Sequence, residues 1–244
     1  MDFLKSRNSY LAAPILFCFA LALIFAVWGI WYPCPKEWIV RFIDNDGMSF
    51  VESATLGFFF LQLLCIWLIP PMAPGRRRVF WQIDFSLITF IAVARQLDWH
   101  KAMVKVSNLP GATTGTPFKM RFLTNPVNPL PDRLIVLFTF IVVIAVCATT
   151  LLAFAKPLFK GFFKRQPVCW SIAFLGGTTV LIQFFDRLPS IFRKKLHVQL
   201  SDPVRSLFSL LEEGLEVILP LLVILALCQA YFIFVDKSAG HPAE

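Results

Sequence analysis

Three groups of ionisable residues carry the chemical interest of this sequence. Arg95, Asp98, His100 and Lys101 stand within two helical turns of one another. Glu212, Glu213 and Glu216 form a second group, and Glu52, a few residues after Asp46-Gly47, stands alone as the third. A carboxylate beside an imidazole binds a divalent cation or passes a proton. Glu212 and Glu216 are four apart and share a helical face, where their oxygens would extend that set. The expected catalytic residues are therefore Asp98, His100, Glu212 and Glu216. A divalent metal would be held by Glu52, Asp98, His100 and Glu216. Arg95, Lys101 and Arg187 would hold the anionic part of a substrate.

These residues also have plainer readings. Arg95, Asp98, Asp186 and Arg187 form an ion-pair network in the alternative reading, since charges near membranes commonly pair. Glu52 and Glu213 near helix starts gain from the helix dipole alone. No HExxH or paired-histidine zinc motif is present. Asp44-Asn45-Asp46-Gly47 resembles part of a calcium loop, but Phe42 and Ser53 fall where Asp and Glu are required, so a turn before the next helix is expected.

The elements that position these groups follow from composition. Of 244 residues, 57% are hydrophobic and 16% charged, with a mean hydropathy of +0.70. A soluble domain carries charge at nearer a quarter of its positions. The fold class is all-α, a polytopic membrane helix bundle forming one domain over 1–244, with about six transmembrane helices. Five charge-free runs reach the ~20 residues a crossing needs: Asn8–Pro35, Ser53–Gly75, Leu134–Ala155, Gln166–Phe185 and Val217–Val235. A sixth, Val79–Leu97, is interrupted by Asp84. The predicted helices are 10–32, 51–72, 79–98, 134–155, 168–187 and 205–235. The first follows Lys5 and Arg7 like a signal peptide, but its apolar run is too long and no small-residue cleavage site follows it.

Two short loops hold basic residues and no acids: Ala73–Phe80, with Arg76-Arg77-Arg78, and Lys156–Pro167. The positive-inside rule places both in the cytoplasm, with both termini. They share a side only if Val79–Leu97 crosses, so their parity supports the weakest span. Arg193-Lys194-Lys195 then lies outside, against the rule. In this topology Glu52, the Arg95–Lys101 string, Asp186-Arg187 and the Glu212 group all fall at the outer side of a plasma (inner) membrane.

The net charge of +8 sits in loops beside spans. It points to membrane lipids, and to an anionic lipid or phosphate-bearing ligand, rather than to nucleic acid, for which no motif exists. Oligomerisation is compatible with the bundle. The six cysteines form no CxxC pair and read as small packing residues. Gly176-Gly177-Thr178-Thr179 is expected to pack closely against another helix. Pro220 is expected to bend the final span. His197 reads as surface in an interfacial amphipathic segment.

Asp46-Gly47 with Glu52, then Arg95-Gln96-Leu97-Asp98-Trp99-His100-Lys101, then Glu212-Glu213-Gly214-Leu215-Glu216, resembles a pattern of uncharacterised bacterial multi-pass membrane proteins. The resemblance implies a six-helix-like bundle and no activity. Alkaline ceramidases and adiponectin receptors need three zinc-binding histidines, where only His100 is suitably placed. CAAX-type proteases share a pair like Glu212-Glu213, but their later histidines are missing here.

Three functions fit the residues. A metal-assisted hydrolase or transferase would act on a lipid or its headgroup at the outer pocket. A non-catalytic structural or assembly subunit would use the same charges as interhelical pairs. An ion- or proton-coupled transporter would need charges at both faces, and only Asp84 stands on the inner side.

Overall fold

The computed structural model describes residues 7–31, 49–69, 76–97, 99 and 120–238. Among them there is no strand. A short 3-10 helix, Arg7–Leu11, leads into α1 (Ala12–Trp31); α2 (Phe50–Leu68), α3 (Arg76–Gln96), α4 (Met120–Thr124), α5 (Leu130–Phe163), α6 (Pro167–Lys195) and α7 (Asp202–Ser238) follow. Five helical segments are long and apolar enough to cross a membrane: Asn8–Ile30, Phe50–Leu68, Leu130–Phe163, Pro167–Lys195 and Asp202–Ile233. The chain is thus an all-α integral membrane protein. α3 forms as expected and its 21 residues reach about 31 Å, but its apolar content falls short of the other five.

The charge-free runs understate the helices. α5 begins at Leu130, not Leu134, because Pro131 fits the first turn, where its missing N–H costs nothing. It also continues through Lys156 and Lys160 to Phe163, so the expected basic loop Lys156–Pro167 shrinks to a tight turn. α6 likewise extends beyond 187 to take in Arg193-Lys194-Lys195. A charge ends a hydrocarbon span; it does not end a helix, which gains from cations in its last turn.

The chain divides into two compact units, Met1–Arg78 with Pro157–Glu244, and Val79–Lys156. In the larger unit α7 packs against α6, α2 and α1. Leu210, Leu211, Leu215, Ile218 and Leu222 of α7 form a core with Ala13 and Ile24 of α1 and Ile182 of α6. The α1 side chains on this core (Ala13, Leu16, Phe17, Ala20, Ile24, Val27) recur every three or four residues, the helical period. Ile15, Phe19, Leu23 and Ile30, on other faces, are exposed. Large apolar side chains in that position suit hydrocarbon rather than water. α2 buries Val51, Thr55, Phe59, Gln62 and Ile66 at the same period.

Helix directions in this unit are fixed by long-range pairs. Gln229 near the end of α7 reaches Ser9 before α1, whereas Trp28 near the end of α1 donates to the Pro203 carbonyl at the start of α7. α1 and α7 are therefore antiparallel. α6 is also antiparallel to α7: Ser171 meets Gln229 at one end, and Phe185 stacks on Phe208 towards the other. Gly214, within the string Glu212–Glu216, has a packing role here. A Cβ on Gly214 would stand 2.8 Å from Ile24 Cγ1 and Cδ1, so any larger residue there would displace the Ile24 side chain.

The α5–α6 corner is built as a Schellman turn. Gln166 N–H donates to Gly161 O at 2.9 Å and Arg165 N–H to Phe162 O at 3.0 Å, with Arg165 left-handed at φ 56°. Trp170 Nε1 donates to Phe162 O at 3.0 Å and its ring stacks on Phe162 at 4.9 Å. Tyr10 meets the same indole edge-on at 5.4 Å, and the Arg165 guanidinium lies 5.9 Å over the Tyr10 ring. Gly161 is buried against Cys169, where any Cβ would overlap Sγ.

In the smaller unit α3 and α5 run antiparallel. Trp81 packs on Phe154 at 4.7 Å, and the Thr150 hydroxyl donates to the Asp84 carboxylate, so the start of α3 lies beside the later half of α5. Phe122 of α4 and Val136 of α5 form a small second core. The connection between them is held by Asn128, whose Nδ2 donates to Phe122 O at 2.8 Å.

Candidate functional site

α7 is the most enclosed of the five candidate spans, and it carries the acidic group. Glu212 and Glu213 are half-buried, and Glu216 is buried at 7% exposure. Leu211, Leu215, Ile218 and Leu222 around them form the packing face, so Glu216 is held by the same contacts that make the core. A carboxylate fourteen residues into an apolar helix is costly, roughly 2.5–3.5 kcal/mol near a span centre. All three glutamates have interaction partners within the structure.

Glu52 has a defined local duty. Its Oε2 accepts the Ser49 N–H at 2.7 Å while Ser49 Oγ accepts the Glu52 N–H at 3.1 Å, a complete capping box at the start of α2. This is the plainer of the two readings given above for Glu52, and it occupies one carboxylate oxygen. Arg95 is exposed near the end of α3 and has a partner. Asp186 and Arg187 are both exposed on α6. Asp98, His100 and Lys101 lie outside the described residues, as do positions 44–47, where a turn is expected, and Cys34. Among the described residues no three His, Cys, Asp or Glu side chains gather closely enough to hold a metal.

Other polar sites emerge that a search for charges passes over. Ser171 and Gln229 are fully buried, and Ser9 is 1% exposed. Ser171 Oγ donates to Gln229 Oε1 at 2.7 Å, and Gln229 Nε2 donates to Ser9 O at 3.0 Å. One amide thereby joins the segment before α1, α6 and α7. Thr55 is buried too, but its hydroxyl returns to its own helix at Val51 O, 2.9 Å away. In the smaller unit Asp84 is buried and its carboxylate receives the Thr150 hydroxyl. A neutral amide within an otherwise apolar run, such as Gln62 or Gln229, was the available sequence signal for these positions.

Two packing expectations change. Gly176 and Gly177 are exposed with nothing within 4 Å of an added Cβ, so they make no close helix contact; Thr178 is the buried member of that string. Among the cysteines, Cys169 is buried and Cys65 and Cys228 are half-buried, but Cys18 and Cys147 are exposed on their helices. α7 continues helically through Pro220, which is fully buried. His197 is exposed, as expected of a surface residue, and leaves α6 with a left-handed φ of 52°.

Taken together, long apolar helices with buried polar links define a polytopic α-helical membrane protein. No protein-family model matches the chain, and no curated protein and no solved structure is significantly similar to it.

Proposed function

We propose that the protein works at a polar pocket on one side of the membrane, with α7 as its wall, as a metal-assisted hydrolase or transferase acting on a lipid or lipid headgroup. The observation that carries this reading is the burial of Glu216 in the enclosed helix α7, with Glu212 one turn before it. Connectivity supports a shared side for the remaining groups. The Trp28–Pro203 bond puts the end of α1 and the start of α7 together. A chain that recrosses after α1 starts α2, with Glu52, on that side.

The sixth crossing belongs to this proposal. α5 ends at the turn into α6, which starts at the opposite end from Pro203. A spanning α5 therefore begins on the Pro203 side. Two crossings are then needed between α1 and α5, and α2 supplies one. α3 is the proposed second crossing, in keeping with the parity of the two basic loops. Glu212 and Glu216 would serve as metal ligands or general acid/base groups, and Asp98 and His100 are the further residues expected for that chemistry. Arg95 and Lys101 would hold a phosphate-bearing headgroup.

Elemental analysis of the purified protein beside assays of lipid turnover tests the reading. Stoichiometric metal that is lost together with turnover in Glu216→Gln supports it. A folded, metal-free wild type that turns over no lipid would sink it. The second reading is a non-catalytic structural or assembly subunit. It is favoured by the polar groups already engaged in helix packing and capping: Ser9, Ser49, Glu52, Asp84, Thr150, Ser171 and Gln229. In that case Glu216→Gln would change stability or complex recovery and nothing else.

A further inference from the structure

The α5–α6 turn lies at the other end of α7 from the acidic group, and its chemistry is the reverse. Lys160, Lys164 and Arg165 are all exposed. No acidic residue occurs between Asp132 and Asp186, so nothing along α5 or the first half of α6 neutralises them. Phe159 and Phe163 directly precede Lys160 and Lys164 in the chain, at 69% and 70% exposure, and meet edge-to-face 5.0 Å apart. Two nearly bare phenyl rings call for an apolar medium at the same depth at which three cations call for an anionic one. Water satisfies only the cations, and hydrocarbon only the rings.

The place where both demands are met is the boundary between acyl chains and headgroups. The turn sits there by construction, because the charge-free run Gln166–Phe185 starts immediately after it. The turn is also held rigid, with Phe162 clamped by Trp170 and Arg165 laid over Tyr10. Its cations are therefore presented without the ordering cost of a loose basic tail. We propose that this turn is a binding site for the phosphate of an anionic phospholipid, with Lys160 and Lys164 as the phosphate ligands and Phe159 and Phe163 among its acyl chains.

The test uses the full-length protein in nanodiscs of zwitterionic phosphatidylcholine containing a minor fraction of phosphatidylglycerol, with retained lipid read by native mass spectrometry. Wild type should retain phosphatidylglycerol well above its share of the bilayer. Lys160→Gln/Lys164→Gln should reduce that preference roughly fivefold per lysine, with the difference shrinking as salt rises. Both changes are at exposed positions, so folding is checked by the same spectra. Arg193→Gln/Lys194→Gln/Lys195→Gln, at the far end of α6, should leave the preference intact. No enrichment in wild type, or enrichment lost only in the far-end variant, overturns the assignment. Unchanged lipid with loss of a co-purifying acidic protein would also overturn it, and would make the turn a protein dock.

Discussion

The Ser171 hydroxyl donates to Gln229 Oε1 at 2.7 Å, and the nitrogen of the same amide reaches the Ser9 carbonyl at 3.0 Å. A single side chain thus satisfies two buried polar groups from separate segments. Gln229→Leu leaves a hydroxyl and a carbonyl buried without that partner. Interhelical hydrogen bonds in membranes average about 0.6 kcal/mol, with a maximum near 1.7, so losing two should cost about 1–3 kcal/mol. Thermal unfolding in detergent measures this. Ser171→Ala should cost less, and adding it to Gln229→Leu should cost almost nothing further, because the bond it removes is already gone.

Gly161→Ala should be more damaging than an ordinary glycine replacement. Its Cβ would overlap Cys169 Sγ and stand 2.6 Å from Gln166 Oε1, within a turn whose backbone bonds fix both neighbours. Forcing a methyl group into a packed site costs about 1–3 kcal/mol. Gly57→Ala, where a Cβ meets nothing within 4 Å, is the control and should be neutral or slightly stabilising. Equal melting temperatures for the two variants would refute the close approach.

Asp84 separates a structural carboxylate from a proton carrier. Asn keeps an oxygen that accepts the Thr150 hydroxyl and removes the charge. Asp84→Asn should therefore hold or raise stability, whereas Asp84→Leu should lower it by about 1–3 kcal/mol by stranding the hydroxyl beside it. Thr150→Val should sit between them. An Asp84→Asn protein that unfolds as readily as Asp84→Leu would show that the ionised carboxylate itself is needed.

His197 adopts a left-handed backbone at an exposed position beyond the end of α6. That conformation costs a non-glycine residue about 1–2 kcal/mol. His197→Gly should raise stability by about 0.5–1 kcal/mol once the extra freedom of unfolded glycine is deducted. His197→Val should lower it, since branching at Cβ makes the same φ worse. The order Gly above His above Val in denaturation midpoint is the expected result.

The class of fold was legible because a bilayer imposes length and polarity on whole segments, so Asn8–Pro35 or Val217–Val235 announces itself without any partner. Helix ends were less legible. Lys160 reads as loop from its charge, and Arg193 falls in an interfacial segment beyond the expected helix end at 187, yet both are helical, because backbone hydrogen bonding continues through the headgroup layer. The site was the least legible part. Glu52 stood out by its charge, but the capping box with Ser49 depends on a backbone turn that charge does not report. Gln229 and Ser171 are ordinary neutral residues in the sequence, and their importance arises only when two helices face each other. Gly176-Gly177 shows the converse, since small residues permit a close approach but cannot say whether a neighbour arrives.

The bond from Gln229 to Ser9 spans 220 positions of chain, and this sets a timetable for biogenesis. At 5–20 residues per second, the segment around Ser9 leaves the ribosome on the order of ten to forty seconds before Gln229 is made. Through that interval α1 has entered the bilayer without the helix against which its Ala13 and Ile24 pack. Its docking must therefore be post-insertional, delayed until α7 arrives. Any chain stalled or cut before Gln229 would present an unclosed first helix to membrane quality control.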